Sequence, residues 1–314
     1  MSTHVDDLLG STVNAGIQDG IVSSLKMAFD VGAHKQLQKD GDQLEHCGTT
    51  YERDSTGYYM HMAEYEIEEI PDSGMPKDAD KFEDMSAYKA SLGKCLWKGR
   101  WRPDAAFVVN IASSETQAPT WEGVRKLNKA RRLMKEYRPM RYRLGSGKSK
   151  GKIVAYSDAS FGDKCRGAMV IVVEYDGNTA ILEWCTYKLR RVARSTLGAE
   201  LVTLGAATAA SEWALLMAIE VGIVDVSDGI PAIHVVTDAK SVQSTIGTTR
   251  FPRERNLIVD MARLRESCSQ GTLSVEFSPT HLMLADPLTK ELSMRADTLK
   301  LLQDAMSGAA IRRQ

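Results

Sequence analysis

Two apolar, strand-forming runs meet at Asp176-Gly177 in GAMVIVVEYDGNTAILEWCTY, residues 167–187. An Asp-Gly pair between such runs is a strong hairpin signal, because the tight turn joining twisted strands needs positive φ at its centre. A long helical stretch comes next, STLGAELVTLGAATAASEWALLMAIEVG, from Ser195 to Gly222. Ser195 or Thr196 can cap its start and Gly222 can end it. It is rich in Ala and Leu nearly all round, so it is expected to pack on several sides.

Around this pair the pattern extends. KIVAYSD, residues 152–158, reads as a strand before the hairpin, and AIHVVTD, residues 232–238, as a fourth strand. A short helix is expected from about Ala239, and RNLIVDMARLRESCSQG is an amphipathic helix stopped at Gly271. TLSVEFS is a fifth strand, and a final helix is expected to begin near Leu284. The order β-β-β-α-β-α-α-β-α implies an α/β unit, a mixed five-stranded sheet with flanking helices.

Upstream lies LGSGKSKGK, Leu144 to Lys152, which has the Gly/Ser/Lys composition of a flexible linker. Its GKS is not a phosphate loop. That motif needs a glycine five residues before the Gly-Lys pair, where Tyr142 stands, and a preceding strand. The first half shows a helix in GIVSSLKMAFDVG and a hairpin around Asp54–Gly57. Three further helices are expected in MSAYKASLGKCLWKG, PDAAFVVNIASS and TWEGVRKLNKARRLMKEY, with Pro103 suited to a first helical turn. The boundaries expected are 1–144, a linker at 145–152, a unit at 153–292 and a tail at 293–314.

The chain of 314 residues is 43% hydrophobic and 26% charged, as soluble globular proteins are. No secretory signal or apolar run of membrane-spanning length is read in it, so no membrane partner is expected. Cys47, Cys95, Cys165, Cys185 and Cys268 are scattered without zinc spacing. Unpaired thiols in a reducing compartment are expected, hence a cytoplasmic or nuclear location. Net charge is −1, yet Trp121–Lys150 holds eleven Lys/Arg against Glu122 and Glu136. Such a block suits a polyanion, through Arg125, Lys129 and Arg132, or else a solvated helix face.

Four acids occupy the ends of apolar elements. Asp158 ends VAYSD, Asp238 ends HVVTD, Glu200 lies in the first turn of the long helix, and Asp286 opens the final helix in LADPLTK. A lone strand-end aspartate is usually a turn or cap residue. Four together can converge, although each like-charge pair at about 4 Å costs on the order of 4 kcal/mol in a protein-like medium. Protons or cations must then occupy the cluster. Mg²⁺, with Mn²⁺ as a substitute, takes oxygen ligands, and two such ions about 4 Å apart suit phosphodiester cleavage.

YSDAS, RSTLGAEL, VVTDAKS and PTHLMLADPLTK occur in that order. Together they resemble the ribonuclease H domain of copia-type retrotransposon Pol polyproteins, over about Lys152 to Leu292. The resemblance implies an RNase H fold and metal-dependent cleavage of the RNA strand in RNA–DNA hybrids. It places the catalytic and metal-binding acids on Asp158, Glu200, Asp238 and Asp286. His281, five residues before Asp286, matches a loop histidine that assists product release in such enzymes, or is an exposed loop residue. Asp260 is expected on a solvent-facing helix surface, paired with Arg263. Lys188, Arg190, Arg191 and Arg194, just before the long helix, suit phosphate contact.

HVDDLLG, His4 to Gly10, resembles the aromatic-x-Asp-Asp hairpin of a reverse-transcriptase palm, with His4 in the aromatic position. The segment around Arg102–Asp104 resembles the stretch after the palm in the same polyproteins. The first half therefore looks like a partial reverse-transcriptase palm/thumb/connection segment, and the whole like the C-terminal part of Pol, with the rest of Pol as a partner. Asp6 and Asp7 alone are not expected to support polymerisation. The alternative to a ribonuclease H is a non-catalytic nucleic-acid-binding remnant or a decaying retroelement fragment.

Overall fold

A computed structural model describes residues 2–4, 7–10, 15–29, 31–72, 77–145, 150–162, 164–249, 254–291 and 296–311. The chain opens with a short antiparallel pair, β1 (Ser2–His4) and β2 (Asp7–Leu9), in which His4 faces Asp7. Helix α1 (Ala15–Ala28) is next. Strands β3 (Gln43–His46), β4 (Thr49–Asp54) and β5 (Gly57–His61) form a meander. The expected turn closes β4 onto β5: Asp54 Oδ1 accepts from the Thr56 amide at 2.7 Å and its hydroxyl at 2.8 Å. Gly57 is required there, since a Cβ would lie 2.2 Å from the Tyr142 carbonyl oxygen.

Three helices come after the meander, as the sequence indicates: α2 (Met85–Lys98), α3 (Ala106–Ser113) and α4 (Trp121–Lys135). Asp84 caps α2 by accepting from the Ala87 amide at 2.9 Å, and Pro103 opens a single 3₁₀ turn before α3. Val124, Leu127, Ala130 and Met134 of α4 face inward at helical spacing and bury against α2 and α3. Strand β6 (Met140–Arg143) was not expected: it returns to pair with β5, completing a four-stranded antiparallel sheet. Its period-2 signal spans only four residues and is hidden among arginines.

Strands β7 (Lys152–Ser160), β8 (Arg166–Tyr175) and β9 (Asn178–Lys188) are antiparallel neighbours joined by a short loop and the Asp176-Gly177 turn. Both turn residues have positive φ, 49° and 73°. Next come α5 (Thr196–Glu220), β10 (Ile233–Thr237), α6 (Lys240–Ile246), α7 (Ile258–Ser269) and β11 (Leu273–Phe277). The sheet order is β11-β10-β7-β8-β9, with β10 parallel to β7 and β11 parallel to β10. This is the mixed five-stranded sheet with flanking helices that the motifs implied.

The sheet is covered on both faces, which is why its strands read as apolar runs and not as alternation. Ile153, Ala155, Ile171 and Val235 pack under α5, α6 and α7. Val154, Tyr156, Val170 and Val236 face the other way, onto Met283–Leu288 and a last helix, α8 (Ala296–Met306). Two expectations are corrected here. The final helix does not start near Leu284. Thr280–Leu282 and Asp286–Leu288 are single 3₁₀ turns, and Met283, Leu284, Ala285 and Leu288 turn into the core. Residues 293–314 are not merely a tail, because Leu302, Ala305, Met306 and Ile311 are buried in that second layer.

Helix α5 begins at its Ser195 cap, whose Oγ accepts from Gly198 N at 3.0 Å, and ends before Gly222 at φ 76°. Among the described residues it alone is long and apolar enough to cross a membrane, contrary to the sequence reading; its inner face is a core face of the sheet. Packing also crosses the expected boundary at 144. Tyr142 Oη donates to the Ile181 carbonyl at 2.8 Å, and Asn110 Nδ2 to the Thr186 carbonyl at 2.9 Å. Residues 146–149 of the expected linker lie outside the described residues.

Candidate active site

Contrary to the expectation of a strand end, Asp158 lies two residues inside β7, opposite Ala168, with 1% of its surface exposed. Asp238 immediately succeeds Thr237, the last residue of β10. Because Val236 pairs with Tyr156 in parallel register, the two strands deliver Asp158 and Asp238 to the same end of the sheet. Glu200 comes from the second turn of α5, which lies across β7, β8 and β10. The Ala159 amide donates to Glu200 Oε1 at 3.3 Å, tying helix to strand. Each of the three acids brings an oxygen within 4.8 Å of the others.

Burial, then repulsion from Asp158 and Asp238, pushes the Glu200 carboxyl up to about 9. Burial likewise raises Asp158, against the opposing pull of the Lys290 ammonium and the Thr289 hydroxyl. Glu200 Oε2 is buried and accepts no hydrogen bond. A buried, unpartnered oxygen on a carboxylate gathered with two others is costly unless a proton or a cation meets it. An all-oxygen anionic donor set of this kind suits a hard divalent cation.

The fourth acid stands apart from this triad. Asp286 is fully buried at the start of its 3₁₀ turn; it accepts from Lys290 Nζ at 2.5 Å and from Thr298 Oγ1 at 3.1 Å. Lys290 Nζ also lies 3.5 Å from Asp158 Oδ2, so an ammonium stands between the two carboxylates. Thr289 donates its hydroxyl to Asp158 Oδ2, and Thr280 donates to Asp238 Oδ2 at 2.6 Å. His281, next to Thr280, is exposed. The sequence reading missed Thr280, Thr289 and Lys290. Only the spacing of Lys290, four residues after Asp286, could have flagged one of them.

The expected phosphate contacts separate into two groups. Lys188, Arg190, Arg191 and Arg194 are exposed between β9 and the α5 cap. The first three border a groove of about 590 Å³ whose floor is Val202, Gly205 and Ala206. Arg191 pairs with Asp260 at 2.7 Å; Arg263, the expected partner of Asp260, pairs instead with Glu212 at 3.1 Å. On α4 the cations are engaged by acids distant in sequence. Arg125 meets Asp72 at 3.1 Å and also Asp78, while Arg132 lies 3.6 Å from Glu69. Lys129 is half-buried on the same helix. The basic excess read from residues 121–150 is therefore offset by the segment before α2. Asp7 begins β2, and Asp6 lies outside the described residues.

The buried pair in the Arg-Pro-Asp motif has a structural reason. Arg102 forks onto Asp104 at 2.9 and 2.8 Å, and its remaining nitrogen donates to the Glu136 carbonyl at the end of α4 at 2.8 Å. Gln303 of α8 adds a bond to Asp104 at 3.3 Å.

Two curated relatives share the chain's sequence along nearly its whole length. The retrovirus-related Pol polyprotein from transposon RE1 of Arabidopsis thaliana is 24% identical over 94% of this chain, and that from transposon RE2 is 23% identical over 93%. The chain is thus similar in sequence to retrotransposon Pol polyproteins. It spans only 21% of each relative's length. No family model matches. Among solved structures, LC11-RNase H1 in complex with an RNA/DNA hybrid aligns over 44% of this chain and 93% of its own, at 16% identity and TM-score 0.33. RNase H1 from Halobacterium salinarum NRC-1 aligns over 49% and 100%, at 20% identity and TM-score 0.29. The foamy viral protease-reverse transcriptase in complex with dsDNA aligns over 52% and 97%, at 13% identity and TM-score 0.28.

Proposed function

We propose that this chain carries a ribonuclease H that cleaves the RNA strand of RNA–DNA hybrids, with Mg²⁺, or Mn²⁺ in its place, held by Asp158, Glu200 and Asp238. The observation that carries this reading is the convergence of three carboxylates within 4.8 Å, one of them with a buried oxygen that has no partner. Bound divalent ions supply the charge that a phosphodiester needs to be attacked by water and to lose its 3′ oxygen.

The chain's own groups prepare that site. The rigid β7 backbone fixes Asp158, and the Thr289 hydroxyl selects the direction of its Oδ2. Thr280 does the same for Asp238, and the Ala159 amide holds one oxygen of Glu200. Asp286 completes the anionic wall beyond Lys290. Arg190 and Arg194, with Lys188, present exposed cations to the hybrid's backbone, which makes binding salt-dependent and largely indifferent to base sequence. His281 projects from the turn that orients Asp238, suited to meet a departing product. The segment up to residue 144 is proposed as the end of a reverse transcriptase, with Asp7 a remnant of its palm.

The test is cleavage of an end-labelled RNA–DNA hybrid with Mg²⁺. The parent is expected to cut the RNA strand and Asp158→Asn to leave it intact. Equal cutting by both would reject the assigned site.

A further inference from the structure

We propose that Lys290 is a tethered counter-ion that neutralises the Asp158–Asp286 edge of the pocket in the metal-free protein and is displaced from Asp158 when an ion binds there. The inference rests on the metal-site reading above and concerns how that site is loaded. Lys290 Nζ lies 2.5 Å from Asp286 and 3.5 Å from Asp158, a place where one cation bridges two carboxylates. The two acids are fixed: their side chains are 0% and 2% exposed, on a 3₁₀ turn and a central strand. Lys290 is not fixed in the same way, since its side chain is 28% exposed and its ammonium sits on a flexible four-carbon stem. Of the three groups, the lysine is the one able to leave without moving the core.

The rest of the pocket is neutralised differently. Glu200 Oε2 has no hydrogen-bond partner, and Lys290 meets the cluster of Asp158, Glu200 and Asp238 at Asp158, on the side toward Asp286. The pocket thus has two unequal sides. An ion among Asp158, Glu200 and Asp238 meets, on Glu200, a carboxylate oxygen that accepts no hydrogen bond. An ion between Asp158 and Asp286 must first remove an ammonium attached to the same segment of chain, four residues from Asp286. Such a tethered competitor acts at high effective concentration. The expected consequence is ordered loading, with the first ion bound tightly and the second at least tenfold more weakly.

The test tracks the lysine and the ion separately in the full chain. The parent is stripped with EDTA, then treated briefly with an amine-acylating reagent at increasing Mg²⁺, and modification of the Lys290 peptide is read by mass spectrometry. Labelling is expected to rise several-fold as Mg²⁺ saturates, while Lys129 stays constant. In parallel, Mn²⁺ titrations by calorimetry compare the parent with Lys290→Gln and Lys290→Arg. The weak step is expected to tighten at least tenfold in the glutamine variant and to stay weak in the arginine variant. If Lys290→Gln does not fold without metal, the labelling of the parent still decides. Unchanged or falling labelling while Mn²⁺ binds overturns the lysine's role and leaves the metal site standing. No ion binding by the parent overturns both.

Discussion

Arg102 and Asp104 are buried together with every charge answered, whereas Asp158, Glu200 and Asp238 are gathered as like charges. The first pair is bidentate, and its spare nitrogens and oxygens meet helix-end carbonyls and Gln303. The second group leaves Glu200 Oε2 with no partner and raises the Glu200 carboxyl to about 9. Arg102, Asp104, Asp158 and Glu200 are all hidden from water, so burial does not distinguish the two sites. What differs is how fully the chain supplies the opposite charge. A pair whose charges balance holds elements together; three like charges with the Lys290 ammonium beside one of them are arranged for further positive charge from outside.

Neutral substitutions probe that contrast most strongly. Asp158→Asn is expected to lower the Mg²⁺-dependent cleavage rate by at least about a thousandfold, the effect of losing several kcal/mol of charge stabilisation. Single-turnover assays on labelled hybrid measure it. Retained cleavage would put the chemistry elsewhere.

Next in size is Arg102→Met, which leaves Asp104 buried and unpaired. It is expected to destabilise the fold by about 3–5 kcal/mol, read from urea midpoints at constant slope. An effect near zero would mean that the pair is not the clamp between α4 and α8.

Glu200→Gln should act in the opposite direction. The Glu200 carboxyl is raised in the folded chain, so below about pH 4.5 both states hold the proton. Between about 4.5 and 9 the folded state keeps a proton that the unfolded state has lost, and stability falls as pH rises. Asp158, also raised, adds to the same slope. Metal-free Glu200→Gln is therefore expected to be more stable than the parent at pH 8, with its pH slope reduced by up to about 1.4 kcal/mol per unit. Saturating Mg²⁺ should flatten the parent's slope as well, and Mg²⁺ affinity should rise with pH across this range. Melting curves at pH 5 to 9 with and without Mg²⁺ check both. A parent whose metal-free stability climbs with pH would contradict the geometry.

The smallest effect separates the two cationic surfaces. Arg190→Gln and Arg194→Gln should each reduce the salt slope of hybrid binding by about one unit. Arg125→Gln and Arg132→Gln should leave it unchanged, because Asp72, Asp78 and Glu69 already answer those charges.

The sheet was legible because both faces of its centre are covered, so β7 and β8 read as apolar runs bounded by turn residues. Asp158, Asp238 and Glu200 were legible because each interrupts such a run or begins such a helix. Strand β6 was not, since Met140 and Tyr142 alternate with arginines over only four residues. Helix α8 escaped because LADPLTK was expected to start a helix, while Leu284 and Leu288 serve the core at and beside 3₁₀ turns. The counter-charges of α4 were not legible because they lie some fifty residues upstream, at Asp72 and Asp78. Lys290 carries no signal in the sequence beyond its spacing from Asp286, and only the fold puts its ammonium against Asp158.

The central claim is that Asp158, Glu200 and Asp238 share a divalent ion. Diffraction from crystals of the full chain grown with Mn²⁺, recorded at the manganese absorption edge, tests it directly. An anomalous peak within bonding distance of oxygens from all three residues is the expected result. Strong manganese peaks elsewhere, with none in this pocket, would contradict it.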